Sequence, residues 1–589
     1  MTDRTKIGLE VLAGGAVAGL AGNVLLRGTP WGLNAFLFVS LFAAGAIWLW
    51  FKNARERLNV AQVSLMSAMV FFAAMYMWRD SAELAVFNFF AVIVLMGVAI
   101  LPGLGIRQRT AGVIHYVGGV FWAGISSLLS PFVVLFSDIE WKFIPRTRLS
   151  NSILAVGKGL LAAIPLLLIF GGLFAAADSA FESLVNRAFN FEADIAVSHI
   201  IVTSILAWLV AGYYRGSLIK DVQTLEPTKQ PDSVVPGQDA NEKESCEDVI
   251  MLPGHATVVE HINRSDPPQT GDAGNEEKET GSKERPFRDW QNIDNSILPA
   301  AFSLGTTEVV IVLGLVNVLF GVFVAMQVPY LFGGMELIQN TPDLKMADYA
   351  RRGFGELVVV ASLVLPMLLA GHWLLRKGGT RNITVFRILA AVQIALLFVV
   401  MASAVQRLHI LTGEEGYGMT TVRFYPMVFM AWLAVVFLWF AATVLRNARR
   451  NFAWGALWAA VVVLAATNIM NPDAFIVRSN IALMQEGRHF DAWYNSGLSS
   501  DALPDLMQAF PQFGEYEQCA TRENLRRRFA EYTEADNDIR TWNISRKMAQ
   551  PYILENANML DDRSENAAYI QRCADLKMSH ERAENDSGR

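Results

Sequence analysis

Charged residues are scarce in this chain. Asp, Glu, Lys and Arg make up 18% of its 589 residues, against 53% hydrophobic and 11% aromatic, and the mean hydropathy is +0.31. An ordinary soluble enzyme of this length needs more polar surface than that. Cysteine is scarcer still. Cys246, Cys519 and Cys573 are the whole complement and form no CxxC pair, so neither a zinc site nor a dithiol motif follows, and no metal or cofactor is implied. The common catalytic signatures are missing too: there is no HExxH, GxSxG, GxxxxGK[ST] or GxGxxG after a strand. That leans away from an enzyme, although catalytic residues scattered over several helices would leave no such signature. The formal net charge of -6 sits in the polar segments while the short connections are basic, and nucleic acid is not expected as a partner.

What is abundant is apolar sequence in blocks. A run of about 20 apolar residues spans the hydrocarbon core as a helix, because that geometry satisfies every backbone N–H and C=O internally. Such runs cover 7–26, 31–51, 60–78, 81–101, 112–136, 153–174 and 196–214, then 306–330, 354–375, 383–405, 422–445 and 452–470. The expected fold is an all-α polytopic transmembrane bundle of eleven or twelve spans, with the lipid bilayer as its first partner. Arg4 and Lys6 ahead of Ala16-Val17-Ala18 have the look of a secretory signal, but the apolar run continues to Leu26 and reads as an uncleaved first span. Four regions result: a first transmembrane block over 1–214, a polar linker over 215–300, a second block over 301–470 and a helical soluble tail over 471–589.

Lysine and arginine in short loops favour the cytoplasmic side. Arg376, Lys377 and Arg381 fill one connection of the second block and Arg446, Arg449 and Arg450 another, which puts the N-terminus and linker inside and the tail outside a bacterial inner membrane. In the first block Arg107 and Arg109 lie on one side of run 112–136, and Lys142, Arg146 and Arg148 on the other. Both loops cannot be inside if that run crosses once. Gly118-Gly119, Gly124 and Pro131 therefore suggest a broken or re-entrant segment and eleven crossings; if every run crosses, the count is twelve.

Between Arg215 and Ala300 the composition turns to Glu, Asp, Lys, Pro, Gly and Ser, too polar to fold alone, so a disordered cytoplasmic tether is predicted. A regulatory docking segment, with Val249 to Met251 and Trp290 as apolar handles, is the alternative. The tail shows helical spacing of apolar residues over 502–510, 525–532 and 543–554, with Ser499-Ser500-Asp501 as a helix start. If the tail is exported, Cys519 and Cys573 meet an oxidising compartment where they can pair or stay free, while Cys246 remains a cytosolic thiol.

A charge near the bilayer midplane is costly and usually functional, yet none occupies the middle third of a predicted span. Glu10, Glu83, Lys158, His199, Glu308, Glu356, His372, Arg387 and Arg423 all sit toward an end, which argues against a pump driven through a buried carboxylate. Asn88, Asn317 and Gln393 are the mid-depth polar residues; they either bond across helices as packing contacts or line a polar path. Alternation of spans puts Tyr349, Arg351, Arg352, Glu356, Glu414, Tyr417, Arg423, Asn471, Asp473 and Arg478 at the outer face. There they anchor helix ends, close the bundle as a charged network, or hold a ligand.

Three of these segments resemble a known family: Tyr349-Ala350-Arg351-Arg352-Gly353-Phe354-Gly355-Glu356-Leu357, Tyr417-Gly418-Met419-Thr420 ahead of Arg423, and Asn471-Pro472-Asp473 with Arg478-Ser479-Asn480. They look like the bacterial membrane proteins catalogued as domain of unknown function 4173, related to 4153, and Asp538-Ile539-Arg540-Thr541-Trp542-Asn543 adds a fourth element. The resemblance covers 306–480 and implies a multi-pass membrane protein with no activity assigned and no catalytic residues to carry over. The function expected first is a non-catalytic envelope scaffold, sensor or accessory subunit, with an envelope protein partner through the tail. A transporter or lipid-handling protein comes second, and an intramembrane enzyme acting on envelope precursors third.

Overall fold

The computed structural model describes residues 2–141, 194–218, 305–332, 346–375, 380–409, 412, 418–446, 448–535, 538–559 and 567–587. The predicted span 153–174, Cys246 and the linker from 219 onward lie outside the described residues. Every regular element described is helical, and among the described residues eleven helices are long and apolar enough to cross a membrane; the chain is an all-α, multi-pass membrane protein. Both apolar blocks and the tail belong to one compact unit.

The first block comprises α1 (Asp3–Leu26), α2 (Leu33–Asn53), α3 (Val60–Trp78), α4 (Ala82–Ala99), α5 (Val113–Val133) and α6 (Asp194–Ser217). Small residues decide how these helices meet, because between apolar helices in lipid close backbone approach replaces the hydrophobic drive available in water. Gly15 and Gly19 of α1 pack onto Ala211 and Ala207 of α6, so tightly that a Cβ at either glycine would lie 2.6 Å from the alanine Cβ. Farther round α6, Gly212 and Gly216 receive Ser126 and Ser127 of α5.

One end of the bundle gathers arginines. Trp50 donates to Ser217 Oγ (3.0 Å) and Arg57 to the Ser217 carbonyl, while Lys52 pairs with Glu10 at 2.6 Å. Asp138, 2% exposed, sits between Arg4 (3.0 Å) and Arg215 (2.6 Å), a pairing that a buried carboxylate requires. Arg215 therefore belongs to the first block and not to the linker. Helix α6 continues past Tyr214 to Ser217.

Helix α5 starts and finishes at that same end. Tyr116 donates to the Gln108 carbonyl, Gly119 meets Gly97 of α4, and a π-turn over Val134–Asp138 delivers Asp138 to Arg4 and Arg215. The break expected at Gly118-Gly119, Gly124 or Pro131 is absent: α5 is continuous from Val113 to Val133, and Gly119 serves close packing. The next described helix, α6, begins at the opposite end, where His199 meets Asn23 (2.8 Å) and Ser198 accepts from Arg27 (2.6 Å).

The second block comprises α7 (Thr306–Phe332), α8 (Met346–Leu374), α9 (Thr380–His409), α10 (Thr421–Thr443) and α11 (Phe452–Met470). Leu313, Phe386, Leu397, Phe437 and Phe440 form its core. Helix α11 also turns Ala453, Trp454, Leu457 and Val461 into the core of the first block, which ties the two blocks together.

The tail folds as α12 (Pro472–Gln485), α13 (Ala492–Gly497), α14 (Leu503–Ala509), α15 (Glu515–Ala535), α16 (Ile544–Met559) and α17 (Ala567–Ser587). Its core of Ile476, Val477, Leu503, Leu506, Leu525 and Ile553 takes in Phe424 from α10, so the tail grows directly out of the bundle. A disulfide joins Cys519 on α15 to Cys573 on α17, with Cα atoms 5.5 Å apart.

Candidate functional site

The tail is fastened to the end of the bundle opposite the arginine-rich one. Helix ends leave carbonyls without intrahelical donors, and here polar side chains from the two sides supply them. Asn543 donates to the Tyr76 (2.9 Å) and Arg79 (2.8 Å) carbonyls at the end of α3, and Ser545 to Trp78 O (2.8 Å). Arg79 donates to the last carbonyls of α11, Asn468 O (2.7 Å) and Ile469 O (3.0 Å).

Asp501 ties this fastening together. Its Oδ1 accepts from Arg79 (3.2 Å) and its Oδ2 from the backbone N–H groups of Asp80 (2.6 Å) and Ser81 (3.2 Å). Sequence reading assigned Ser499-Ser500-Asp501 to a helix start. A short 3₁₀ turn does begin at Ser500, but the Asp501 side chain is spent on the α3–α4 turn. Arg546 pairs with Asp80 (2.8 Å) and also reaches the Trp31 carbonyl (3.1 Å).

These contacts border an open cavity of about 1020 Å³ whose lining includes Asp80, Glu83, Asp473, Tyr494, Arg528 and Arg546. Asp473, in the first turn of α12, is 2% exposed. Its Oδ2 accepts from both the hydroxyl and the N–H of Ser499, while its Oδ1 has no hydrogen-bond partner. Burial pushes this carboxyl up to about 6; the Ser499 hydrogen bonds oppose the rise, and the charges of Asp501 and Glu83 add to it. Asp80 is likewise raised by burial, with Arg546 and Ser500 pulling the other way. Arg528 donates to Leu498 O (2.7 Å) and Ser496 O (3.3 Å).

An apolar groove of about 280 Å³ lies between α3, α4, α10 and α11, walled by Phe72, Phe87, Phe90, Tyr425, Trp432 and Leu464 among others. Phe90 is 58% exposed, on a helix whose outer surface is apolar. Tyr425 lines the groove and approaches Ser81, the neighbour in sequence of cavity-lining residues. Its ring packs on Phe87 with centroids 5.3 Å apart, and its hydroxyl lies 3.5 Å from Ser81 Oγ, which itself donates to Glu83 (3.2 Å).

Of the residues expected at the outer face, Asn471 and Asp473 come to this region. Asn471, at φ 60°, caps α12 by accepting from Ala474 N (3.3 Å) and donates to the Asp501 carbonyl (3.2 Å). Arg423 bonds the Gly418 carbonyl ahead of α10. Arg478 is exposed and pairs with Asp505 at 3.4 Å, and Glu356 is exposed on α8. Glu414, Tyr417 and the side chains of Tyr349, Arg351 and Arg352 lie outside the described residues. Arg79, Asp80, Asp501, Arg528 and Arg546 went unrecognised in the sequence. Arg79-Asp80 directly after the third span was a usable signal, whereas nothing in 526–528, three consecutive arginines, marks Arg528 apart from Arg526 and Arg527, which pair with Glu523 on the surface.

Asn88 and Asn468 exchange hydrogen bonds of 3.0 Å between α4 and α11. Asn317 donates to Leu389 O (3.0 Å) between α7 and α9, and Gln393 is fully buried with both amide atoms unbonded. None of Asn88, Asn317 and Gln393 lines either cavity. Among the described residues no group of three or more His, Cys, Asp or Glu is placed to hold a metal.

In comparison with known families, the model of a domain of unknown function (DUF4153) matches residues 65–236 and 276–509. This is the related family of the resemblance noted in the sequence, and the finer assignment to 4173 does not follow from it. The matched residues include Arg79, Asp80, Glu83, Tyr425, Asp473 and Asp501 and stop before Arg528 and Arg546. No curated protein and no solved structure matches the chain.

Proposed function

Since the chain belongs to the DUF4153 family, whose name carries no activity, we propose from its own geometry that it binds a membrane lipid, with an acyl chain in the apolar groove and the head group in the polar cavity above it. The observation that carries this reading is Tyr425, one residue with its ring in the groove and its hydroxyl beside Ser81 and Glu83 at the cavity. An amphiphile needs an apolar and a polar compartment in direct continuity, and a polar solute would not use the first. Asn88 and Asn317 bond neighbouring helices, and neither they nor Gln393 line the groove or the cavity, so we favour lipid handling over solute transport.

The site faces the outside of a bacterial cell membrane in this reading. Short connections rich in arginine gather at the other end of the bundle, as the positive-inside tendency requires, and the Cys519–Cys573 disulfide suits an oxidising compartment. The tail then acts as the wall of a lipid site and less as a freely presented docking module, because it contributes Asp473, Arg528 and Arg546 to the cavity. A sensor or accessory role remains compatible with lipid binding.

The test is native mass spectrometry of the purified protein with a panel of membrane lipids. Ala460 lines the groove, and Ala460→Trp fills it; the variant is expected to retain its fold and lose the bound lipid seen with the parent protein. Equal retention in the two proteins, or no lipid bound by either, would reject the proposal.

A further inference from the structure

We infer that the arginine-rich end of the bundle holds a second, separate site: an open cavity of about 770 Å³ that binds the phosphate of an anionic phospholipid through Arg107 and Arg109. The cavity lies where α3 begins and α4 has ended, and its lining includes Glu56, Arg57, Val60, Arg107, Gln108 and Arg109. Segment 105–109 is built to present its two arginines. A 3₁₀ turn over Leu101–Leu104 follows α4, and Gly105, at φ 77°, redirects the chain. From there burial alternates: Ile106 and Gln108 are 6% and 3% exposed, whereas Arg107 and Arg109 are open to solvent. Gln108 fixes this register, because its amide donates to Gln62 Oε1 and its carbonyl accepts from Tyr116 (2.9 Å). Gln62 in turn donates to the Ala99 carbonyl at 3.0 Å. Arginines that only set the sidedness of a loop need no such buried polar base.

The chemistry of the lining selects the ligand. Among the described residues, neither Arg107 nor Arg109 has a side-chain hydrogen bond, ion pair or ring contact, and Glu56 is the one carboxylate in the lining. Arg57 is committed to the Ser217 carbonyl and serves as wall. Each guanidinium offers five N–H donors and a permanent charge, and the oxygens of one phosphate can accept from two of them. Basic recesses between helix ends at a membrane surface suit anionic head groups for this reason. The source of the phosphate follows from α3. Val60 and Val63, one turn apart on that helix, are 75% and 47% exposed, so apolar surface runs from the cavity along the flank of a spanning helix. Acyl chains would cover it, and a soluble phosphate ester would leave it bare. The inference does not depend on the groove at the other end.

The experiment measures, by native mass spectrometry of the full-length protein, the affinity for phosphatidylglycerol and phosphatidylcholine of identical acyl chains, with water-soluble glycerophosphoglycerol as a third arm. Phosphatidylglycerol is expected to bind tighter than the choline lipid, whose trimethylammonium would face the same arginines. The pair Arg107→Gln and Arg109→Gln should weaken it about tenfold or more. The pair Arg107→Lys and Arg109→Lys keeps the charge, and with it the sidedness of the loop, and should bind between the parent and the glutamine pair. Arg55→Gln is the control, since Arg55 is exposed near the cavity but lies over the Phe51 ring (5.0 Å) and is not part of the lining; it should change nothing. Ala460→Trp, which fills the groove, should leave the anionic preference intact. Equal affinity for the two lipids, a loss from Arg55→Gln as large as that from the glutamine pair, a lysine pair no better than the glutamine pair, or loss of the preference in Ala460→Trp would each overturn the inference. Glycerophosphoglycerol bound as tightly as the lipid would overturn the lipid source and assign the two arginines to a soluble phosphate ester.

Discussion

Asp473 is held at an energetic disadvantage. Its folded value of about 6 stands against an ordinary 3.8, a difference of about two units or roughly 3 kcal/mol at neutral pH. A carboxyl raised on folding contributes its stability below its unfolded value, and that contribution is lost as the pH rises through the folded one. The chain is therefore predicted to gain stability from this group as the pH falls from 7.5 toward 4. Asp473→Asn should stabilise the protein at pH 7.5 by up to about 3 kcal/mol, and the gain should vanish near pH 4. Thermal unfolding in detergent at the two pH values checks this; a variant less stable than the parent at pH 7.5 would show that the ionised carboxylate has an unrecognised stabilising partner. Binding sites commonly retain groups that are poor for stability.

At the scale of the element, the α3–α4 turn and the 3₁₀ turn at Ser500–Ala502 act as one joint. The Arg79 and Asp501 side chains are 9% and 1% exposed, so removing one leaves the other buried without its charge partner. Arg79→Ala is predicted to cost about 3–5 kcal/mol and to free the tail for limited proteolysis. The double variant with Asp501→Ala should cost less than the sum of the two single changes, and strict additivity would mean that the pair is not coupled. The helices themselves were legible in the sequence because each apolar run must satisfy its own backbone in lipid. So were the tail helices near 503–509, 515–535 and 544–559, through apolar spacing. The joint was not legible, because its members are spread from Arg79 to Arg546 and each taken alone looks like an ordinary residue at a helix end. Asp473 was singled out for its place near a span terminus, but its bare oxygen depends on Ser499 and the cavity wall, which no local pattern encodes. The mid-depth asparagines were legible as polar; whether Asn88 lined a path or bonded a neighbour depended on Asn468, 380 residues away.

For the whole molecule the decisive quantity is which ends of the bundle share a compartment. Arg57, Arg107, Arg109 and the Arg449–Asn451 turn belong to one end, with Arg4, Asp138 and Arg215; the loop at 27–32, the Arg79 turn and the tail belong to the other. Helix α5 is long enough to cross, yet Gln108 just ahead of it bonds Gln62 at the start of α3, and Asp138 just after it bonds Arg215, both at the arginine-rich end. This geometry makes a joint prediction for single cysteines introduced into a Cys246→Ser background, where the bonded Cys519 and Cys573 do not react. Thr110→Cys and Glu140→Cys, on the two sides of α5, should both react with a membrane-impermeant maleimide after permeabilisation and neither before it. Ile539→Cys, at a position 78% exposed in the tail, should react in intact cells. Labelling of Thr110 and Glu140 from opposite faces would mean that α5 crosses and that one basic loop lies outside. Labelling of Ile539 only after permeabilisation would invert the molecule, move the lipid site to the cytoplasmic leaflet, and place the disulfide in a reducing compartment where it has no reason to persist.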